Sequence, residues 1–476
     1  MHKLLPKLLF LICCTSFNSV SAQTKYNALQ NDPQLKEEYL ELLKENLKES
    51  KKQPKEAYTK ELYDYYDARY ESSVKRLEHG HYLLHKDIDT YLEKIKKTIA
   101  DANPGYDFAS VKILIARYTW PNAFSVGDGT IAINIGLMEQ LENESELVFV
   151  ICHELAHYFL NHADRKFLQR YNTLNSDEFK EKIEQIEKDE YYQTTKLKAL
   201  LKANIYSERS HSREHEYEAD SLGLDLYIKC KFNFNNVVKT LNLLDKLNDK
   251  DYDTTLNVYS LFKVDSVKYA TSSLAITDEV DKDALDDDLA LTHPECMQRI
   301  EALKKRNLPT TSDKEVDSVY FIKVVQMLRR DKVNSYIDFG ELDKALLDNL
   351  SKKSGGNNEQ EVNSSIIIIM EQLVSKRKDH RLSEVASKPN EFQGKSANEL
   401  SNLLFGLRFK YLANAFYEYA LELYNHSLKD ENTMYSLIKL AKMAGDQETV
   451  NDMVHDFDAE FPQSEYTKEM KYWLKY

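Results

Sequence analysis

The sequence predicts a mainly α-helical protein of the α+β class: a core holding a small β-sheet, followed by a helical C-terminal domain. Three observations carry this. Residues 143–163, Asn-Glu-Ser-Glu-Leu-Val-Phe-Val-Ile-Cys-His-Glu-Leu-Ala-His-Tyr-Phe-Leu-Asn-His-Ala, contain no Pro or Gly and read as one helix. Two short β-branched runs, 111–118 and 130–134, read as strands that pair beside that helix. From about residue 312 onward the pattern is helical and carries no catalytic motif.

The helix at 143–163 organises the chain. Asn143 suits its N-cap, and Glu146 stands three residues on, where a capping carboxylate belongs. Within it lies His-Glu-x-x-His: His153, Glu154 and His157. Residues four apart share a helix face, so both imidazoles can reach one metal ion. Zinc suits two imidazoles plus a carboxylate and keeps a position open for water. Glu154 is placed to take the proton of that water. Two histidines and a glutamate amid Leu-Val-Phe-Val-Ile are costly to bury without partners, and a metal supplies one.

A third ligand is expected on a second helix within 206–228. By chemistry alone Glu214, His215, Glu216 and Glu218 are rivals there. The run Ser212-Arg213-x-x-Glu216-Tyr217-x-Ala219-Asp220 resembles the second motif of the gluzincin zinc metallopeptidases that include the CAAX prenyl endopeptidases, the membrane protease HtpX and the periplasmic protease BepA. The resemblance makes Glu216 the third ligand and Asp220 an acceptor that orients a ligand imidazole. The other carboxylates and His215 then read as a solvated helix face. Small residues Ala219 and Gly223 let the second helix approach the first. Two further segments are similar to family motifs in the same order: Trp120-Pro-Asn122-Ala123-Phe124 through Gly136-Leu137, and Thr292-His293-Pro294 with Arg299-Ile300. Asp128 stands where the family places the second glycine of a pair. The resemblance spans roughly residues 85–306.

It implies a zinc metalloendopeptidase with one Zn2+ per chain, held by His153, His157 and Glu216, with Glu154 as general base. His293, Arg299 and Tyr217 are candidates for the oxyanion donor. His293, ahead of Pro294, also resembles a latch that covers the open zinc position. Asn122 and Ala123 are expected to hold extended substrate by strand addition. The implied branch is the soluble, exported, BepA-like one, whose substrates are proteins or peptides, misfolded envelope proteins among them. Two other readings stand beside it. One is a chaperone or scaffold that uses its C-terminal helices and a latent zinc site; the other is a zinc hydrolase of non-peptide substrates. The intact Glu154 favours an enzyme, and the motifs favour peptides.

Residues 1–22 read as an export signal, with basic His2, Lys3 and Lys7, an apolar core and Val20-Ser21-Ala22 before Gln23. The protein is therefore expected to be exported, and the resemblance to the soluble branch implies the periplasm, with secretion or membrane association as the alternatives. The apolar run is too short to span a bilayer, and none is expected after it. The formal charge of −14 becomes −16 without Lys3 and Lys7, which argues against nucleic acid and anionic membranes as partners. Three cysteines remain, Cys152, Cys230 and Cys296, with Cys230–Cys296 the candidate disulfide. The expected organisation is a signal at 1–22, an N-terminal helical region at 23–84, a peptidase domain at 85–310 and a helical domain at 311–476. Residues 164–205 read as a charged helical hairpin over the site, and 265–291 as an acidic loop. In the tail, Leu437, Ala441, Gly445 and Pro462 fall near tetratricopeptide positions; a generic helical bundle is the alternative. Either can dock a protein partner.

Overall fold

The computed structural model describes residues 29–52, 59–189, 192–247, 256–264, 296–306, 316–354, 359–389 and 394–474. The expected export signal, the acidic stretch 265–291 and Thr292-His293-Pro294 lie outside these residues. No described helix is long and apolar enough to cross a membrane.

The fold is mainly α with one four-stranded sheet. Two N-terminal helices, α1 (Pro33–Lys52) and α2 (Thr59–Glu78), precede β1 (Tyr82–Leu83) and α3 (Lys86–Ala102). The sheet is completed by β2 (Lys112–Ala116), β3 (Ala123–Ser125) and β4 (Thr130–Asn134), in the order β1-β2-β4-β3. The two expected strands pair in parallel, with Ile113 opposite Ile131 and Ile115 opposite Ile133. Strand β3 lies antiparallel to β4 at the edge.

Side-chain alternation explains why β2 and β4 read as unbroken apolar runs. Ile113, Ile115, Ile131 and Ile133 face α3 and the helix of the His-Glu-x-x-His motif, and join one core cluster. Leu114, Ala116 and Ala132 face the other way, onto Tyr39 and Leu43 of α1 and Leu77 of α2. Both faces are covered, as in other buried parallel pairs.

After the short α4 (Ile135–Met138), helix α5 (Glu144–Phe159) carries the motif. Its start is as expected. The Asn143 side chain accepts from the Glu146 amide at 3.1 Å, and the Glu146 carboxylate accepts from the Glu142 amide at 2.8 Å. Its end differs. The single helix expected through residue 163 stops at Phe159, and Asn161 adopts a left-handed conformation with φ 55° and ψ 36°. Asparagine tolerates that region better than most residues. The chain turns there and α6 (His162–Asn175) begins. It is followed by α7 (Asp177–Lys188) and the long α8 (Gln193–Lys229), so the expected hairpin is helical.

The cysteines differ from the expected pairing. Cys152, Cys230 and Cys296 are separate buried thiols. Cys230 caps the end of α8 and turns its thiol onto its own helix, donating to the Leu226 carbonyl at 3.2 Å.

Beyond α9 (Phe234–Leu247), α10 (Val258–Leu261) and α11 (Cys296–Lys304), the helix α12 (Ser318–Phe339) belongs to two cores. Phe321, Val324 and Leu328 pack with the sheet and α5. Val333 and Tyr336 pack with the C-terminal helices. That second core gathers α13 (Leu342–Ser354), α14 (Glu359–Lys378), α15 (Lys395–Gly406), α16 (Phe409–Tyr424), α17 (Glu431–Ala444), α18 (Gln447–Glu460) and α19 (Tyr466–Lys471). Ile366–Met370, an isoleucine stripe in the sequence, is buried inside α14. Leu437 and Ala441 are buried in α17, which Gly445 ends with φ 87°. A left-handed residue after a helix is the usual place for glycine.

Candidate metal centre

Helices α5 and α8 pack against each other in the core that also holds the sheet. The packing depends on Gly223: a methyl group there would stand 2.9 Å from the Cα of His153. Ala219 and Gly223 are both buried in the contact. This close approach sets Glu216 and Asp220, one turn apart on α8, against His153 and His157, one turn apart on α5.

The three expected ligands form a compact triangle. His153 Nε2 and His157 Nε2 are 3.1 Å apart. Glu216 Oε2 lies 3.5 Å from His153 Nε2, and its Oε1 lies 3.4 Å from His157 Nε2. Bonds of 2.0–2.2 Å to a tetrahedral zinc place ligand atoms roughly 3.3 Å apart, so the triangle has the edge a zinc ion needs. His153, His157 and Glu216 are therefore a donor set that fits the metal.

The surroundings hold these side chains in place. His153 Nδ1 lies 3.1 Å from Asp220 Oδ1. Arg299, brought in by α11, donates from Nε and Nη2 to the two oxygens of Asp220 at 2.6 and 2.7 Å. Its Nη1 stands 3.2 Å from Glu216 Oε2. Arg299 is 2 % exposed and Asp220 1 %. Burial opposes the charge on Arg299, and Asp220 and Glu216 more than restore it. Burial likewise opposes protonation of His153, but Asp220 and Glu216 outweigh it and lift the imidazole to about 10. The centre favours positive charge, as a cation site should.

Glu154 shares a cavity of about 20 Å³ with Asn122, Ala123, His153 and Arg299, room for about one water. It also lines a larger groove of about 940 Å³, where it is joined by His157, Glu216, Asn122 and the β3 residues Ala123 and Phe124. Helices α2 and α6 wall this groove; Tyr65 stacks on Phe167 there at 4.2 Å. The expected substrate residues are thus beside Glu154. Tyr217 is 39 % exposed, and its hydroxyl donates to Gln298 at 3.3 Å. His293 lies outside the described residues.

One cluster escaped the sequence reading. His162, His215 and Glu218 also come together. His162 Nδ1 lies 2.7 Å from His157 Nδ1, and its Nε2 lies 2.9 Å from Glu218 Oε2. Burial and the His157 ring hold His162 down at about 4, a neutral imidazole. The available signal was its spacing, five residues after His157; the left-handed turn at Asn161 that brings it back was not legible.

Residues 88–307 match the model of peptidase family M48, a family of zinc-dependent metallopeptidases. The matched segment contains α5, the end of α8 that carries Glu216, and α11, and it supports a metallopeptidase. No individual curated protein matches the chain.

Proposed function

We propose that this chain is a zinc metalloendopeptidase that hydrolyses peptide bonds in extended polypeptides. The observation that carries the reading is the triangle of His153, His157 and Glu216, with edges of 3.1–3.5 Å, beside Glu154 in an open groove. Zinc bound there supplies a Lewis acid that polarises a carbonyl and brings the pKa of water towards neutrality. Glu154 takes a proton from the attacking water on its carboxylate and returns it to the leaving nitrogen. Asp220 fixes the ring of His153 through Nδ1, and Arg299 fixes Asp220. Asn122 and Ala123 present the edge of β3 to an extended chain, which can add to the sheet as a further strand.

The export signal expected at 1–22 and the resemblance to soluble exported peptidases support action in the periplasm, on misfolded envelope proteins. The C-terminal helices, read as a separate domain of tetratricopeptide-like hairpins, would recruit such proteins or a partner.

Glu154→Gln tests the enzymatic reading. Gln keeps the shape of the side chain but cannot accept the water proton. The variant should retain one zinc per chain and lose casein cleavage. Wild-type activity in it removes Glu154 as the base and reopens the class of reaction.

A further inference from the structure

The two histidine ligands are supported differently. His153 meets a carboxylate directly, Asp220 at 3.1 Å. His157 meets another histidine, His162, at 2.7 Å between their Nδ1 atoms, with ring planes inclined at 75°. His162 meets Glu218 at 2.9 Å, and Arg165 Nη1 donates to the same carboxylate oxygen at 2.5 Å. We propose that His162 and Glu218 are positioning residues for the metal ligand His157, forming a relay that fixes its tautomer and ring orientation and carries its support out to a surface ion pair. The proposal rests on the reading of His153, His157 and Glu216 as the metal site.

Counting protons leaves one consistent arrangement. A His157 that offers the Nε2 lone pair to a metal carries its proton on Nδ1. That N–H donates to His162 Nδ1, which must accept. A neutral His162 then holds its single proton on Nε2 and donates it to Glu218. Glu218 accepts, and Arg165 balances its charge. Every donor faces an acceptor along the chain. A ligand imidazole whose second nitrogen donates to an acceptor is better oriented and more basic towards its metal. His162 is buried while the Glu218 side chain is 44 % exposed, so the relay runs from the interior to solvent.

The same cluster, completed by His215, has the spacing of a second cation site. Two features disfavour that use. A cation on His162 Nε2 would displace the proton that Glu218 accepts, leaving one proton for two facing Nδ1 atoms and forcing one ring into its anionic form. The rings of His162 and His215 are also stacked in parallel, 4.3 Å apart at 9°, so their in-plane lone pairs lie in parallel planes rather than pointing at a shared ion.

The test is zinc affinity and stoichiometry of the full chain, measured by competition with a chromogenic chelator. His162→Phe removes both nitrogens and should weaken zinc binding by roughly ten- to a hundredfold. Wild type and variant should both saturate at one equivalent. His162→Asn, whose amide can accept from His157 and donate to Glu218, should recover most of the affinity. The visible bands of the cobalt-loaded protein should shift in His162→Phe and return in His162→Asn. If His162→Phe fails to fold, Glu218→Leu reads the relay from its exposed end and should also weaken binding. An affinity within twofold of wild type in the folded variant overturns the relay. So does a second zinc equivalent in wild type that is lost in His162→Phe, which would make the cluster a cation site. His153→Ala separates the two readings. If it abolishes zinc binding while His162→Phe leaves it unchanged, only the relay fails. If it leaves zinc bound, the metal site itself has been misassigned.

Discussion

Gly223 faces the backbone of His153 with no space for a side chain: a methyl group on it would stand 2.9 Å from the His153 Cα and 3.1 Å from its amide nitrogen. The distance between α5 and α8 is therefore set by a hydrogen atom. Gly223→Ala must push α8 away from α5, moving Glu216 away from both imidazoles. It should destabilise the fold by about 1–3 kcal/mol, the usual range for overpacking, and weaken zinc binding. Urea denaturation and chelator competition read the two effects. Unchanged zinc affinity would show that the helices can separate without disturbing the triangle.

The His153 and His157 pair was legible from its spacing, because residues four apart share a helix face. Glu216 and Asp220 were legible only through the resemblance of their motif to the family's, since by chemistry alone Glu214, His215 and Glu218 stand as rivals. The strands were legible as β-branched runs, and the isoleucines of 366–369 as a core stripe. Three features were not legible. The turn at Asn161 depends on one left-handed residue in an otherwise helical pattern. The pairing expected of Cys230 and Cys296 failed because parity of cysteines says nothing of where their thiols point. The sharing of α12 between two cores is a tertiary fact; its apolar residues on either side of Asp331 look alike in sequence but face different partners.

Arg299 tests how the centre tolerates loss of a buried charge. It holds both oxygens of Asp220 and sits beside Glu216, and all three are buried. Arg299→Met fills similar space but leaves two carboxylates without their cation. Breaking a buried pair from one side costs about 3–5 kcal/mol. A thermal or urea unfolding experiment that finds less than about 1 kcal/mol would mean that water or another cation replaces the guanidinium.

A second ion network joins the two cores and gives a pH dependence with a defined sign. Lys332 of α12 donates to Glu139 at 2.6 Å and to Asp348 of α13 at 3.3 Å. Burial alone would raise the Asp348 carboxyl; Lys332 and Lys352 outweigh it and hold it below the usual carboxylate range. Its stabilisation is thus complete above pH of about 4 and is lost as pH falls through the depressed value. Burial opposes the charge on Lys332, but Asp348 and Glu139 raise it above its usual 10.5, so its contribution is complete below that pH and fades only above it. Asp348→Asn should cost about 2 kcal/mol at pH 7, the scale of a hydrogen bond to a charged group. The gap from wild type should close as pH is lowered towards 3. Urea denaturation across that range checks it; a gap that widens in acid would reverse the assignment.

The groove beside Glu154 carries the last prediction. Its wall is sealed where α2 and α6 meet, by the stack of Tyr65 on Phe167 and by the Tyr171 hydroxyl, which donates to Glu61 at 3.3 Å. Tyr66 and Arg69 of α2 add bonds to Asp164 at 2.6 and 2.9 Å. This aromatic surface lines the same groove as Ala123, Phe124 and Ser125 of β3, so a chain added to that strand would bring alternate side chains into the groove with Phe167 and its neighbours. Aromatic surface binds bulky apolar side chains and gains little from small polar ones. Phe167→Ser should therefore raise KM for peptides with a large apolar residue near the cut, while kcat and zinc content stay close to wild type. Loss of a buried ring contact of this kind is worth about 1–3 kcal/mol, or roughly ten- to a hundredfold in KM. Peptides with Gly or Ser at the same position should respond much less. Equal losses for both peptide sets would mean that Phe167 supports the wall without selecting what lies against it.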